Sequence, residues 1–136
     1  MINPEDYIYK LNIDFVNNGK VYTASGEIQI YEEELLDKQN LVTATLGTAD
    51  KKLKLFFNGD KIGEVVIPEE INISENNTTF FLGGQQESVG NIEEYDDDTT
   101  FKGFIGETYI SNETFSEEDV ELLWNNGNGD FWTLTE

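Results

Sequence analysis

The stretch from Lys52 to Ile67 constrains this chain more than any other. Leu53, Leu55 and Phe57 alternate with Lys52 and Lys54, the period-two pattern of a strand with one buried face. Asn58-Gly59 follows, and both residues accept the positive φ values that a two-residue hairpin turn requires. A partner strand over Lys61 to Ile67 then ends at Pro68, which has no N–H for a ladder. An antiparallel hairpin is the fold's predicted centre.

The same grammar opens the chain. Tyr7, Tyr9, Leu11, Ile13 and Phe15 share one face, with Lys10, Asn12 and Asp14 on the other. Asn17-Asn18-Gly19 supplies a second hairpin turn, and a strand follows from Lys20 to about Tyr31, bent or bulged near Ser25-Gly26. Tyr31 to Asn40 reads either as one or two helical turns or as an acidic loop. Strands are predicted over Leu41–Leu46, Thr78–Leu82, Phe101–Ser111 and Phe131–Thr135. Gly103 and Gly106 signal close backbone approach or a bulge, and Gln85 to Thr100 reads as one long polar loop.

Ser116 to Trp124 is the one predicted helix. Ser116 is an N-cap with Asp119 three residues on, Phe115 can staple onto Val120, and Glu117, Glu118 and Asp119 suit a positive N-terminus. Val120, Leu123 and Trp124 form its apolar stripe, with Gly127 as the expected C-cap. Eight or so short strands and one helix predict an all-β fold. It is an antiparallel β-sandwich with one short C-terminal α-helix, a single domain over residues 1–136.

Composition removes several chemistries. The 136 residues include no cysteine and no histidine, so disulfides, thiolate metal sites and His-based catalytic centres are out of reach. All eight basic residues are lysines, set against 28 acids for a net charge of −20. That surface repels nucleic acid and anionic membranes, and could attract Ca²⁺ or a basic protein; plain solvation is the simpler account. The first residues lack a signal peptide's basic and apolar regions, and no apolar run approaches the about 20 residues of a membrane span. An extracellular or virion-surface location is nevertheless expected over a cytoplasmic one.

The ordered set Leu53–Gly59, Phe80–Gly84, Phe101–Thr108, Ser116–Trp124 and Asn125–Gly127 resembles the laminin-G-like, concanavalin A-like lectin/glucanase superfamily. The resemblance covers residues 41–127 and implies a jelly-roll sandwich that binds a ligand. Gly106 and Thr108 stand where that pattern carries Asp and Val. Forty residues precede Leu41, fewer than the pattern carries: either the sandwich is trimmed or missing strands come from another chain, which hints at assembly.

Glucanases of that superfamily carry Glu-x-Asp-x-Glu on a strand, and Glu117, Asp119 and Glu121 reproduce the string. On a helix, alternate residues are turned about 200° apart and cannot converge on a substrate. The glycosidase reading therefore stands only as a distant third, behind a non-enzymatic module. For metal, the acidic run offers Glu94, Asp96, Asp97 and Asp98 as hard oxygen ligands for Ca²⁺, or else a solvated loop. Asn126, Asn128 and Asp130 are a weaker second set, or a Gly-rich turn. For a glycan, Tyr95 and Asn91 are the first candidates, joined by Trp132. The expected function is recognition of a glycan or protein surface through rim loops, with a structural subunit of a virus particle or other large assembly as the alternative.

Overall fold

Asn18 and Gly19 take φ values of 51° and 80°, so the first turn closes with both residues in the left-handed region, matched to the strands' right-handed twist. The computed structural model describes residues 8–29, 39–73, 85–86, 95–96, 105–106 and 108–125. They divide into two units, one holding 8–29, 39–72 and 111–125, the other drawn from Ile73–Ile110.

In the first unit, β1 (Ile8–Asn17) and β2 (Lys20–Gln29) pair antiparallel in unbroken register, from Ile8 opposite Gln29 to Asn17 opposite Lys20. The bulge expected near Ser25-Gly26 is absent. Gly26 serves packing instead: a Cβ there would collide with the backbone carbonyl of Ile62, and a Cβ on Gly63 with that of Ser25. The two glycines let the backbones of two sheets touch. Asn17 is likewise a strand residue rather than part of the turn, and it is fully buried.

The second sheet orders β3 (Val42–Leu46), β4 (Lys52–Phe57) and β5 (Asp60–Val66), all antiparallel. Asn58 and Gly59 close its hairpin with φ of 50° and 86°. Asn58 extends the sheet's pairing, because its side-chain Oδ1 accepts from Leu41 N–H at 2.8 Å while its backbone N–H donates to Leu41 C=O at 2.8 Å. Between Leu55–Gly63 and Phe56–Lys61 the register slips, leaving Ile62 as an extra residue on β5. This bulge turns both Ile62 and Gly63 toward the core side.

Ala24, Leu53, Leu55 and Ile67 are the buried centre, packed by Leu11, Ile13, Phe15 and Tyr22 from the first sheet and Leu46, Ile62 and Val65 from the second. Full burial of each of the Leu53, Leu55 and Ile67 side chains contributes about 1.5–3 kcal/mol. After β5 the chain crosses back over the first hairpin. Ile67 is buried, Glu69 Oε1 accepts from Lys20 Nζ at 2.8 Å and Tyr22 OH at 3.0 Å, and Asn17 grips the backbone at residues 70 and 72.

Helix α1 (Glu117–Trp124) forms where predicted, with its capping box complete: Asp119 N–H donates to Ser116 Oγ and Ser116 N–H to Asp119 Oδ2, both at 3.1 Å. The C-cap is Asn125 at φ 44°, not Gly127, because Asn also tolerates the left-handed conformation and can cap the helix directly after Trp124.

In the second unit, β6 (Gln85–Gln86) pairs antiparallel with β7 (Tyr95–Asp96), so the predicted 85–100 loop contains a short ladder. The strand expected over Phe101–Ser111 is not present at the described positions 105–106 and 108–111. Among the described residues of this stretch, Ile105, Tyr109 and Ile110 are all exposed and supply no buried face to fix a register, and a Cβ on Gly106 would meet nothing within 4 Å.

Candidate functional site

On the second sheet, Thr45, Lys54 and Glu64 stand in one transverse row, since Lys54 is the cross-strand partner of both others. Their shared face is the outer one, opposite Leu53 and Leu55. Phe56, on that same face, is buried, and so are Val120 and Leu123 of α1. The helix covers this face of the β4–β5 hairpin. Its first turn reaches Lys54, and Trp124 at its last turn lies against Gly59, where a Cβ would stand 3.1 Å from the Trp124 Cβ.

Lys61 joins the face through the bulge. In regular alternation with Glu64 outward, Lys61 would point to the core side; the extra residue Ile62 reverses that parity. Its ammonium stands 2.9 Å from Glu117 Oε1 and 3.3 Å from Glu64 Oε1. Lys54 Nζ approaches the same Glu117 oxygen at 3.6 Å and Asp50 Oδ2 at 4.0 Å. Hydrogen bonding from Lys61, reinforced by the nearby Lys54 charge, holds the Glu117 carboxyl below the usual carboxylate range. The Lys61 ammonium is correspondingly raised, first by Glu117 and then by Glu64.

These groups line an open cleft of about 510 Å³ between the outer sheet face and residues 114–118. Thr45, Lys52, Thr114, the half-buried Phe115 and Glu118 complete its lining. Thr114 Oγ1 donates to Leu46 C=O at 2.9 Å, and Ser116 Oγ is committed to the cap. Three of the chain's eight lysines border this one cleft. Such an arrangement offers fixed cationic donors beside carboxylate acceptors, the means to hold a polar ligand by charge and hydrogen bonds.

Asn91, Glu94, Asp97, Asp98 and Trp132 fall outside the described residues, as do Asn126, Asn128 and Asp130. Tyr95 and Asp96 are described in backbone only, as β7, opposite Gln86 and Gln85. Among the described residues no group of three or more acids is placed to hold a metal ion. Glu117, Asp119 and Glu121 lie on the helix, as the spacing predicts, with Glu117 bound to lysines and Asp119 in the cap.

Sequence reading missed the cleft because Lys61 is brought to it only by the bulge. One signal was available: Ile62 and Val65, three apart and both apolar, break strand alternation, with Gly63 between them. Comparison with known protein families, with curated proteins and with solved structures gave no match.

Proposed function

We propose that this chain is a non-enzymatic recognition module that contacts a glycan or a protein surface. The open polar cleft beside α1 carries the reading, because it gathers lysines, carboxylates, threonine hydroxyls and an aromatic ring on a rigid sheet face. Ordered donors on strands suit recognition better than donors on loops, since the scaffold fixes their spacing. Glycan and peptide arrays probed with the wild type and with Lys54→Ala test the reading. Loss of the hits in Lys54→Ala supports the cleft. Hits that persist there but vanish in Tyr95→Ala or Trp132→Ala return recognition to the rim residues.

The finer fold belongs to the same proposal: a laminin-G-like jelly roll, supported by the Asn58-Gly59 hairpin and the Ser-capped helix in their expected order. In that reading Glu94, Asp96, Asp97 and Asp98 supply oxygen ligands for a Ca²⁺ that assists binding. A calcium titration read by melting temperature tests this, and no shift at millimolar calcium rejects it.

A structural subunit of a larger assembly is the second reading, favoured by one observation. Val42 and Ala44 share the face of Leu46, Leu53 and Leu55, yet both are exposed, Val42 at 56%. An apolar strand end uncovered on the core side is what a neighbouring subunit would cover. Light scattering after size exclusion tests it, and a clean monomer at physiological salt counts against it.

A further inference from the structure

We infer that the cleft beside α1 takes a glycan bearing a carboxylate, and that Glu117 occupies the carboxylate's place in the unliganded protein. The inference rests on the recognition reading above and names its ligand class. Glu117 Oε1 sits between Lys61 Nζ at 2.9 Å and Lys54 Nζ at 3.6 Å, so two strand-borne ammonium groups already hold one carboxylate oxygen. Lys52 lines the same cleft and makes no ion pair among the described residues. A ligand carboxylate that takes over Lys54 and Lys61 releases Glu117 to solvent, where it is half exposed even when paired. The exchange replaces one carboxylate by another and leaves no buried charge unpaired.

The remaining lining decides the class of ligand. The cleft sets Lys52, Lys54 and Lys61 against Asp50, Glu64, Glu117 and Glu118, a net charge of −1 in a chain of −20. It is nearly balanced, not basic. An acidic peptide presents acceptors to those carboxylates and is repelled by them. A uronic acid unit presents one carboxylate for the lysines and several hydroxyls that donate to Asp50, Glu64 and Glu118, and its sugar face can lie toward Phe115. Polyanions such as nucleic acid meet the wider negative field.

The test is calorimetry with oligogalacturonate (trimer to hexamer), its uncharged methyl ester, and a hexaglutamate peptide, at low and physiological salt. The expected result is binding of the free acid, weakened about tenfold or more by Lys54→Gln/Lys61→Gln and strengthened about fivefold by Glu117→Gln, which removes the internal competitor. Circular dichroism and melting curves confirm that each variant is folded. Glu117→Gln carries the test by itself if the double lysine variant does not fold. Equal binding of acid and ester, untouched by either variant, overturns the inference while leaving glycan recognition standing. Binding of the peptide but not the acid overturns the glycan class. Binding of none of the three, together with no hit on glycan or peptide arrays, removes both the inference and the reading beneath it.

Discussion

The side chain of Asn17, at the end of β1, holds the backbone of Asn72: the Asn72 N–H donates to Asn17 Oδ1 at 2.9 Å, across 55 residues of sequence. The same amide donates through Nδ2 to the Glu70 carbonyl at 3.1 Å. Asn17 is fully buried, and both bonds are partly shielded from water. Asn17→Ala is expected to lose about 1–3 kcal/mol, the cost of losing two partly shielded hydrogen bonds and the packing of a buried side chain. Urea denaturation monitored by tryptophan fluorescence measures it. Asn17→Asp keeps the bond from Asn72 but turns a carboxylate oxygen toward the Glu70 carbonyl, so its deficit should shrink as pH falls and the acid is protonated.

Gly26 and Gly63 give a second prediction, because each faces the backbone of the other's strand. A Cβ on Gly26 meets Ile62 C=O, and a Cβ on Gly63 meets Ser25 C=O. Backbone cannot rotate aside as a flexible side chain can. Gly26→Ala and Gly63→Ala should each cost about 3 kcal/mol by forcing the sheets apart. Once one alanine has opened the gap, the second should cost less, so the double variant falls short of the sum. A double-mutant cycle by chemical denaturation checks this.

Local chemistry made half of this architecture readable. Asn18-Gly19 and Asn58-Gly59 adopt the positive φ values their residue types favour, and Ser116 with Asp119 forms the capping box their spacing requires. Those signals act within a few residues. Gly26 was legible only as a possible bend, since its real constraint is Ile62 on another sheet. Asn17 looked like turn chemistry because the segment it binds lies more than fifty residues away. The cleft was hidden for the same reason: Lys54, Lys61 and Glu117 come from three elements, and the Ile62 bulge decides which way Lys61 points.

The helix ends offer a paired test of local against tertiary stabilisation. Ser116→Ala removes the hydroxyl that accepts from Asp119 N–H and should cost about 1 kcal/mol. Asn125 sits at φ 44°, a conformation that glycine adopts without a Cβ penalty. Asn125→Gly should therefore raise stability by about 0.5 kcal/mol or leave it unchanged, in contrast with the loss at Ser116. Thermal melts of the two single variants separate the effects.

Glu69 and Glu117 predict how stability depends on pH. Hydrogen bonds from Lys20 and then Tyr22 hold the Glu69 carboxyl below its ordinary range, and Lys61 does the same for Glu117. A carboxyl with a lowered folded-state pKa contributes stability that is present above its unfolded value and lost as pH falls through the folded one. Their partners work in the opposite direction. Lys20 and Lys61 are raised, so their contribution is present below the ordinary lysine value and disappears as pH rises through the raised one. Both clusters are therefore intact from mildly acidic to mildly alkaline pH, and each fails at both ends. Melting temperatures of wild type, Glu69→Gln and Glu117→Gln across pH check the sign. Each variant should melt below wild type near neutrality, and the gap should close as pH drops below the carboxylate range. A gap that stayed constant down to the lowest pH would place the effect in packing instead of charge. Raising salt at neutral pH should narrow the gap too, since these pairs are partly exposed and screened.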